Sequence, residues 1–330
     1  MNSYHEMINR VTEMICEHID DTEKFILIGD NSSGKSEILR TIIERKKGEA
    51  VYYIDSVNRT FDAGKVELFS EKYKEIKPDF QGVTSVRVHP FNFNLQDTFA
   101  AASRIEHLYV KYRGQIEKFC ESFLNKKFTI EREDDGVGNP ENVVKIDGEI
   151  MTLSSGYQAL IRIFCEILFF SDCMKVQRLE KGIVVIDEID EYLSPKYSAE
   201  ILNFLHDEFS NIHFIVTTHS LDLVETTENA TIIVINKCTY ATYTSEFLRD
   251  TVSANDIFTN LFFENRKLHV SDNDDMDNQL RQYLNSKVAG MWDEKMQEEL
   301  EQINLEDLKP HQRLIFKQIK ETSYEKSTIN

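Results

Sequence analysis

The 330-residue chain is 41% hydrophobic and 29% charged, with a formal net charge of −19. That profile suits a soluble globular protein with core enough for one large domain or two modest ones. The acidity argues against a free-standing nucleic-acid binder, whose affinity comes from cationic neutralisation of phosphates. A local basic groove or a basic partner stays open, and the plainer reading is that net acidity serves solubility. The longest apolar segment, 160–170, carries Arg162 and Glu166, so no stretch reads as a membrane span. The polar first six residues show no signal peptide. Cys16, Cys120, Cys165, Cys173 and Cys238 lack metal-ligand or disulfide spacing and read as reduced thiols of a cytoplasmic protein.

In chain order, Met7, Ile8, Val11, Met14 and Ile15 at helical spacing predict an amphipathic helix over about 4–19. An apolar strand at 25–28 runs into Gly29, a glycine- and serine-rich turn follows, and 37–46 reads as helix. Strands are expected at 51–54 and around 85–88, then a helix from about 98 to 123. Two alternating stretches, 128–131 and 143–146, flank a loop with Asp134, Asp135, Gly136, Gly138, Asn139 and Pro140, and read as a β-hairpin. A helix over about 156–174 leads to apolar strands at 183–186, 214–216 and 232–235. Short, fully apolar strands alternating with helices imply a parallel sheet covered on both faces. After about 245 the strands stop. An acidic stretch at 271–275 reads as a linker or exposed loop in a helical tail that ends near 322, and there are no internal repeats.

Gly29-Asp30-Asn31-Ser32-Ser33-Gly34-Lys35-Ser36 matches the Walker A pattern between a strand and a helix. Backbone N–H groups of the loop and the helix N-terminus suit the phosphates of ATP, and glycines allow close approach. Lys35 would reach the β- and γ-phosphates, and the Ser36 hydroxyl would ligate Mg2+. Ile183-Val184-Val185-Ile186-Asp187-Glu188 is an apolar strand ending in two acids, a Walker B pattern. Asp187 would hold Mg2+ and Glu188 would polarise the attacking water. Between these motifs stands Leu153-Ser154-Ser155-Gly156-Tyr157-Gln158, just before a helix. Alone it would be a plain serine N-cap.

In this order the three motifs resemble those of ABC-type P-loop ATPases, in the Leu-Ser-Ser-Gly form found among RecF, OLD and SMC-like members. Two further segments fit: Ile189-Asp190-Glu191-Tyr192-Leu193-Ser194-Pro195 looks like a D-loop, with Ser194 where histidine is usual, and His219 follows an apolar strand like an H-switch. The resemblance covers about 20–240. It implies an α/β fold, a P-loop NTPase parallel sheet with an ABC-type helical lobe and an appended helical C-terminal region. Catalytic roles fall to Glu188 and His219, and residues 153–156 act in trans on nucleotide bound to a second copy. Gln96 is the candidate Q-loop residue, with Gln81 as competitor. The family's adenine contacts come from antiparallel strands before Walker A; here that region reads as helix, and no base contact is assigned.

The interval from Lys35 to Ser154 is too short for an SMC coiled coil, which leaves the short AAA-type ATPases, many from antiviral defence or DNA repair. The resemblance thus implies ATP hydrolysis to ADP and phosphate with ATP and Mg2+ bound, by a homodimer or higher oligomer. This switch or motor would serve an effector such as a nuclease or toxin, with nucleic acid contacted through the complex. The alternatives are a transporter's nucleotide-binding subunit or a slow-turnover ATP-sensing scaffold. Residues 1–245 are expected to form the ATPase domain, with an insertion at about 97–150. Residues 246–330 are expected to form a helical region whose Trp292, Leu300, Ile303, Leu305, Leu308, Leu314 and Ile315 pack on a core of their own or dock a partner.

Overall fold

The computed structural model describes residues 3–93, 105–134, 140–236 and 238–250, and then 276, 279–280, 283–284, 286–287, 292, 294–304, 308 and 310–321. The chain divides into two compact units, Met1–Phe263 and Glu264–Asn330.

In the first unit, β1 (Lys24–Gly29), β2 (Val51–Ile54), β6 (Gly182–Ile186), β7 (Ile212–Thr218), β8 (Ala230–Asn236) and β9 (Thr239–Thr244) form one sheet in the order β2-β6-β7-β1-β8-β9. All neighbours are parallel except β9, which returns antiparallel against β8. The inner strands are apolar because both faces are covered. Ile26, Ile28, Tyr52, Ile54, Val184 and Ile186 join the core that includes α4 (Ile105–Leu124), α5 (Ser155–Gln177) and α6 (Pro195–Glu208). The alternate residues Phe25, Leu27, Val51, Tyr53, Ile183 and Val185 pack with α1 (Ser3–His18) and α2 (Lys35–Arg45). The expected hairpin is β3 (Phe128–Asp134) against β4 (Pro140–Ile146), extended by β5 (Glu149–Ile150). α7 (Leu221–Thr226) and α8 (Ser245–Asp250) complete this unit among the described residues.

One expected strand is corrected. Residues 85–88 lie in a helix, α3 (Phe80–Val88). Asp79 caps it by accepting the Gly82 N–H at 2.8 Å, and Phe80, Val83, Thr84 and Arg87 bury one face at helical spacing. That face lies along β2, the outer strand. Thr84 Oγ1 accepts the Tyr53 N–H and donates to the Val51 carbonyl, both at 3.3 Å, and Arg87 donates to the Tyr53 carbonyl at 2.8 Å. Side chains of a helix thus satisfy backbone groups that a further strand would otherwise pair.

In the second unit, Leu280, Tyr283, Leu284, Leu300, Leu308, Phe316 and Ile319 form a core, with Trp292, Ile303 and Ile315 packed against it. α9 (Glu294–Glu301) and α10 (Pro310–Glu321) carry several of these residues. The side chains of Leu305 and Leu314 lie outside the description. Among the described residues no helix is long and apolar enough to cross a membrane.

Candidate nucleotide site

The site forms where β1, β6 and β7 end, at the carboxyl edge of the parallel sheet, where open α/β folds place ligands. β1 delivers Gly29, and the chain turns through Asp30, Asn31, Ser32 and Ser33 to Gly34 before α2 begins at Lys35. Gly34 has φ +106, and a Cβ there would stand 2.7 Å from Ile8 Cδ1 and 2.9 Å from Tyr4 Oη. The loop is therefore pressed against α1, and only glycine fits. Lys35 is buried, and its ammonium donates to the carbonyls of Gly29 at 2.7 Å and Asp30 at 3.2 Å. Burial pushes this ammonium below the usual lysine range, against the pull of Asp187 and Glu188.

The Ser36 hydroxyl donates to Asp187 Oδ2 at 3.0 Å, bringing together the two residues expected to hold Mg2+. Both offer hard oxygen donors, the type Mg2+ takes beside phosphate oxygens. Within the loop the Ser33 hydroxyl is buried and has no partner among the described residues. Asp187 follows β6 directly, and its second oxygen accepts from Thr217 Oγ1 at 2.6 Å. The same Thr217 oxygen accepts the Glu188 N–H at 2.7 Å. One hydroxyl at the end of β7 therefore orders both acids. Glu188 sits at φ 50, a left-handed conformation that costs a non-glycine residue energy and is held by its surroundings.

Burial, then Asp187 and Glu191, push the Glu188 carboxyl above the usual glutamate range, which makes it a stronger base. His219 Nε2 lies 3.8 Å from Glu188 Oε1. Burial, with Lys35 nearby, lowers the His219 pKa, so its imidazole is neutral at neutral pH and the contact is not an ion pair.

Residues 153–156 form a second cluster at the start of α5. Leu153 is buried, and Ser154 caps the helix by accepting the Tyr157 N–H at 3.4 Å. A Cβ on Gly156 would come within 2.9 Å of the Tyr192 carbonyl, so the expected D-loop packs directly on this turn. Gln96 lies outside the described residues.

Sequence reasoning missed two positions. Thr217 has no role assigned from the sequence, although a hydroxyl at the end of a strand neighbouring Walker B is a usable signal. Arg59 went unnoticed: it is buried, and its Nη2 donates to the Asp187 carbonyl at 2.8 Å. It borders a buried ionic network. Glu166 of α5 accepts from Arg87 at 2.6 and 3.1 Å, from Arg162 at 2.9 Å and from the Tyr52 hydroxyl at 2.9 Å. Burial opposes the charge of Glu166, but Arg87 and Arg162 outweigh it and hold its pKa down to about 2.

The family model described as "AAA domain, putative AbiEii toxin, Type IV TA system" matches residues 52–225, more than half of the chain. Among curated proteins, the Septu protein PtuA of Bacillus mycoides (strain KBAB4) is 26% identical over 243 residues, covering 59% of this chain and 34% of that protein. The protein named "Retron Vc95 probable ATPase", from Vibrio cholerae serotype O1 biovar El Tor, is 35% identical over 104 residues, covering 30% of this chain and 20% of that one. The chain thus spans about a third or less of the length of these relatives. Among solved structures, a dimeric ATP-binding cassette in a post-hydrolysis state with ADP and Pi aligns with a TM-score of 0.33 and 14% identity, covering 68% of this chain and 85% of that one. By its match over residues 52–225, the chain belongs to the family of AAA domains that this model describes.

Proposed function

We propose that this chain binds ATP with Mg2+ and hydrolyses it to ADP and phosphate as the switch of a multi-protein defence system. The observation that carries the reading is the 3.0 Å contact of Ser36 with Asp187, which joins the loop before α2 to the acids after β6. The loop N–H groups at 29–36 and Lys35 would bind the triphosphate. Ser36 and Asp187 would hold Mg2+, which when bound neutralises phosphate charge. Glu188 accepts a proton from the attacking water, and neutral His219 orients the terminal phosphate.

In the same reading two copies pair, and residues 153–156 of one cover the terminal phosphate held by the other, with Ser154 and the first turn of α5 as donors. The relatives named as Septu and retron proteins support a defence role alongside an effector such as a nuclease or toxin.

The test is the pair Lys35→Ala and Glu188→Gln in the full chain. Lys35→Ala should lose ATP binding. Glu188→Gln should bind ATP, lose turnover and accumulate as an ATP-bound dimer in size-exclusion chromatography with light scattering. Normal hydrolysis by Glu188→Gln would refute the assignment. A wild-type chain that binds ATP and never turns it over would instead be an ATP-sensing scaffold.

A further inference from the structure

Residues 58–61 run between α5 and the acids after β6, and they are held from both sides. From α5, Arg162 donates to the Thr60 carbonyl at 3.2 Å, and the Gln158 side-chain oxygen accepts the Phe61 N–H at 3.4 Å. Gln158 also donates to the Leu153 carbonyl at 3.2 Å, so the same side chain reaches the segment before Ser154. On the other side, Arg59 Nη2 donates to the Asp187 carbonyl at 2.8 Å and stands 3.5 Å from the Glu188 carbonyl.

Arg59 is only 2% exposed, and its Nε and Nη1 have no hydrogen-bond partner among the described residues. A buried guanidinium with unmet donors is a poor choice for packing alone, since methionine fills similar volume without the desolvation cost. Neighbouring Asp55 attracts its charge but is also held by other groups. That carboxylate already accepts from the backbone and side chain of Asn58 and pairs with Arg87 at 3.5 Å. What arginine adds is a donor to the backbone of the two acids, at a turn where Glu188 adopts φ 50.

We propose that Arg59 is a positioning residue for hydrolysis: anchored to α5 through its neighbours, it fixes the backbone of Asp187 and Glu188 so that the Glu188 carboxylate meets the attacking water. The proposal rests on the reading of Glu188 as the hydrolytic carboxylate.

The experiment compares Arg59→Met, Arg59→Lys and Glu188→Gln in the full chain, measuring thermal midpoint, kcat and KM for ATP. Arg59→Met should keep its thermal midpoint and a KM within about threefold of wild type while kcat falls about 10–100-fold, the usual effect of a small misplacement of a catalytic group. Arg59→Lys, which keeps one donor without the fork, should recover part of the lost kcat with KM unchanged. If Arg59→Met fails to fold, a folded Arg59→Lys with reduced kcat and unchanged KM supports the proposal. Wild-type kcat in either folded variant, with Glu188→Gln inactive, overturns the proposal and leaves the role of Glu188 standing. A loss of thermal midpoint, kcat and KM together, the same in both variants, shows a merely structural residue and also overturns it. Turnover by Glu188→Gln would instead bring down the reading beneath.

Discussion

Glu166→Gln should make the first unit unfold at much lower urea concentration. In the native chain one fully buried carboxylate accepts four hydrogen bonds, three of them from Arg87 and Arg162. Glutamine keeps one acceptor oxygen, turns an NH2 group toward donors and removes the negative charge that faces Arg87 and Arg162. Removing one partner of a buried ion pair costs about 3–5 kcal/mol. The depressed pKa gives an independent figure. A fall from 4.5 to about 2, at about 1.4 kcal/mol per pH unit, corresponds to about 3 kcal/mol. The sign follows from linkage: a carboxyl with a lowered folded-state pKa stabilises above its unfolded value, and that stability drains away as pH falls from about 4.5 toward 2. Far-UV circular dichroism during urea unfolding measures the loss, with the slope unchanged if the unfolded state is unaltered. The sole tryptophan, Trp292, lies in the second unit and reports on it separately by fluorescence. A loss below about 1 kcal/mol, or an acid sensitivity equal to wild type, would refute the claim that charge pairing stabilises this part of the core.

The raised Glu188 pKa predicts that kcat falls on acidification, because the protonated carboxyl cannot accept a proton. The midpoint of that fall should lie above the 4.5 of an ordinary glutamate, and a pH–rate profile with its acid limb at or below that value contradicts the reading. His219, with its pKa lowered, should contribute no further step around neutral pH. Ser154→Arg places a bulky cation at the exposed start of α5. It should leave ATP affinity intact while turnover falls about 100-fold, the scale of a lost transition-state donor. Full turnover by a monomeric Ser154→Arg chain would exclude action in trans.

Much of the site was legible because its chemistry restricts the residue types. A strand buried on both faces must read as an apolar run, and 183–186 does; the loop must have glycine at position 34, where φ is positive and α1 leaves no room for a Cβ. Where the sequence misled, local pattern and tertiary packing parted. Ser85-Val86-Arg87-Val88 alternates like a strand, yet Asp79 caps a helix six residues upstream, and burial follows Phe80, Val83, Thr84 and Arg87. β9 is not evident in the sequence because Thr239–Thr244 holds no valine or isoleucine and is mostly exposed, although its threonine and tyrosine residues favour strands. Arg59 was hidden for a different reason. Nothing in Asn58-Arg59-Thr60 distinguishes an arginine sunk beneath the turn of Asp187 and Glu188 from one in water.

The contacts of Thr84 and Arg87 with β2 have a bearing on solubility. An open outer strand is a template on which another molecule can lay its own strand, and proteins blunt such rims to avoid edge-to-edge aggregation. Here the Val51 carbonyl and both backbone groups of Tyr53 are occupied by side chains rather than by a seventh strand. The segment whose alternation imitates a strand thus covers these groups as a helix, and β-structure has fewer open positions here from which to spread from one molecule to the next.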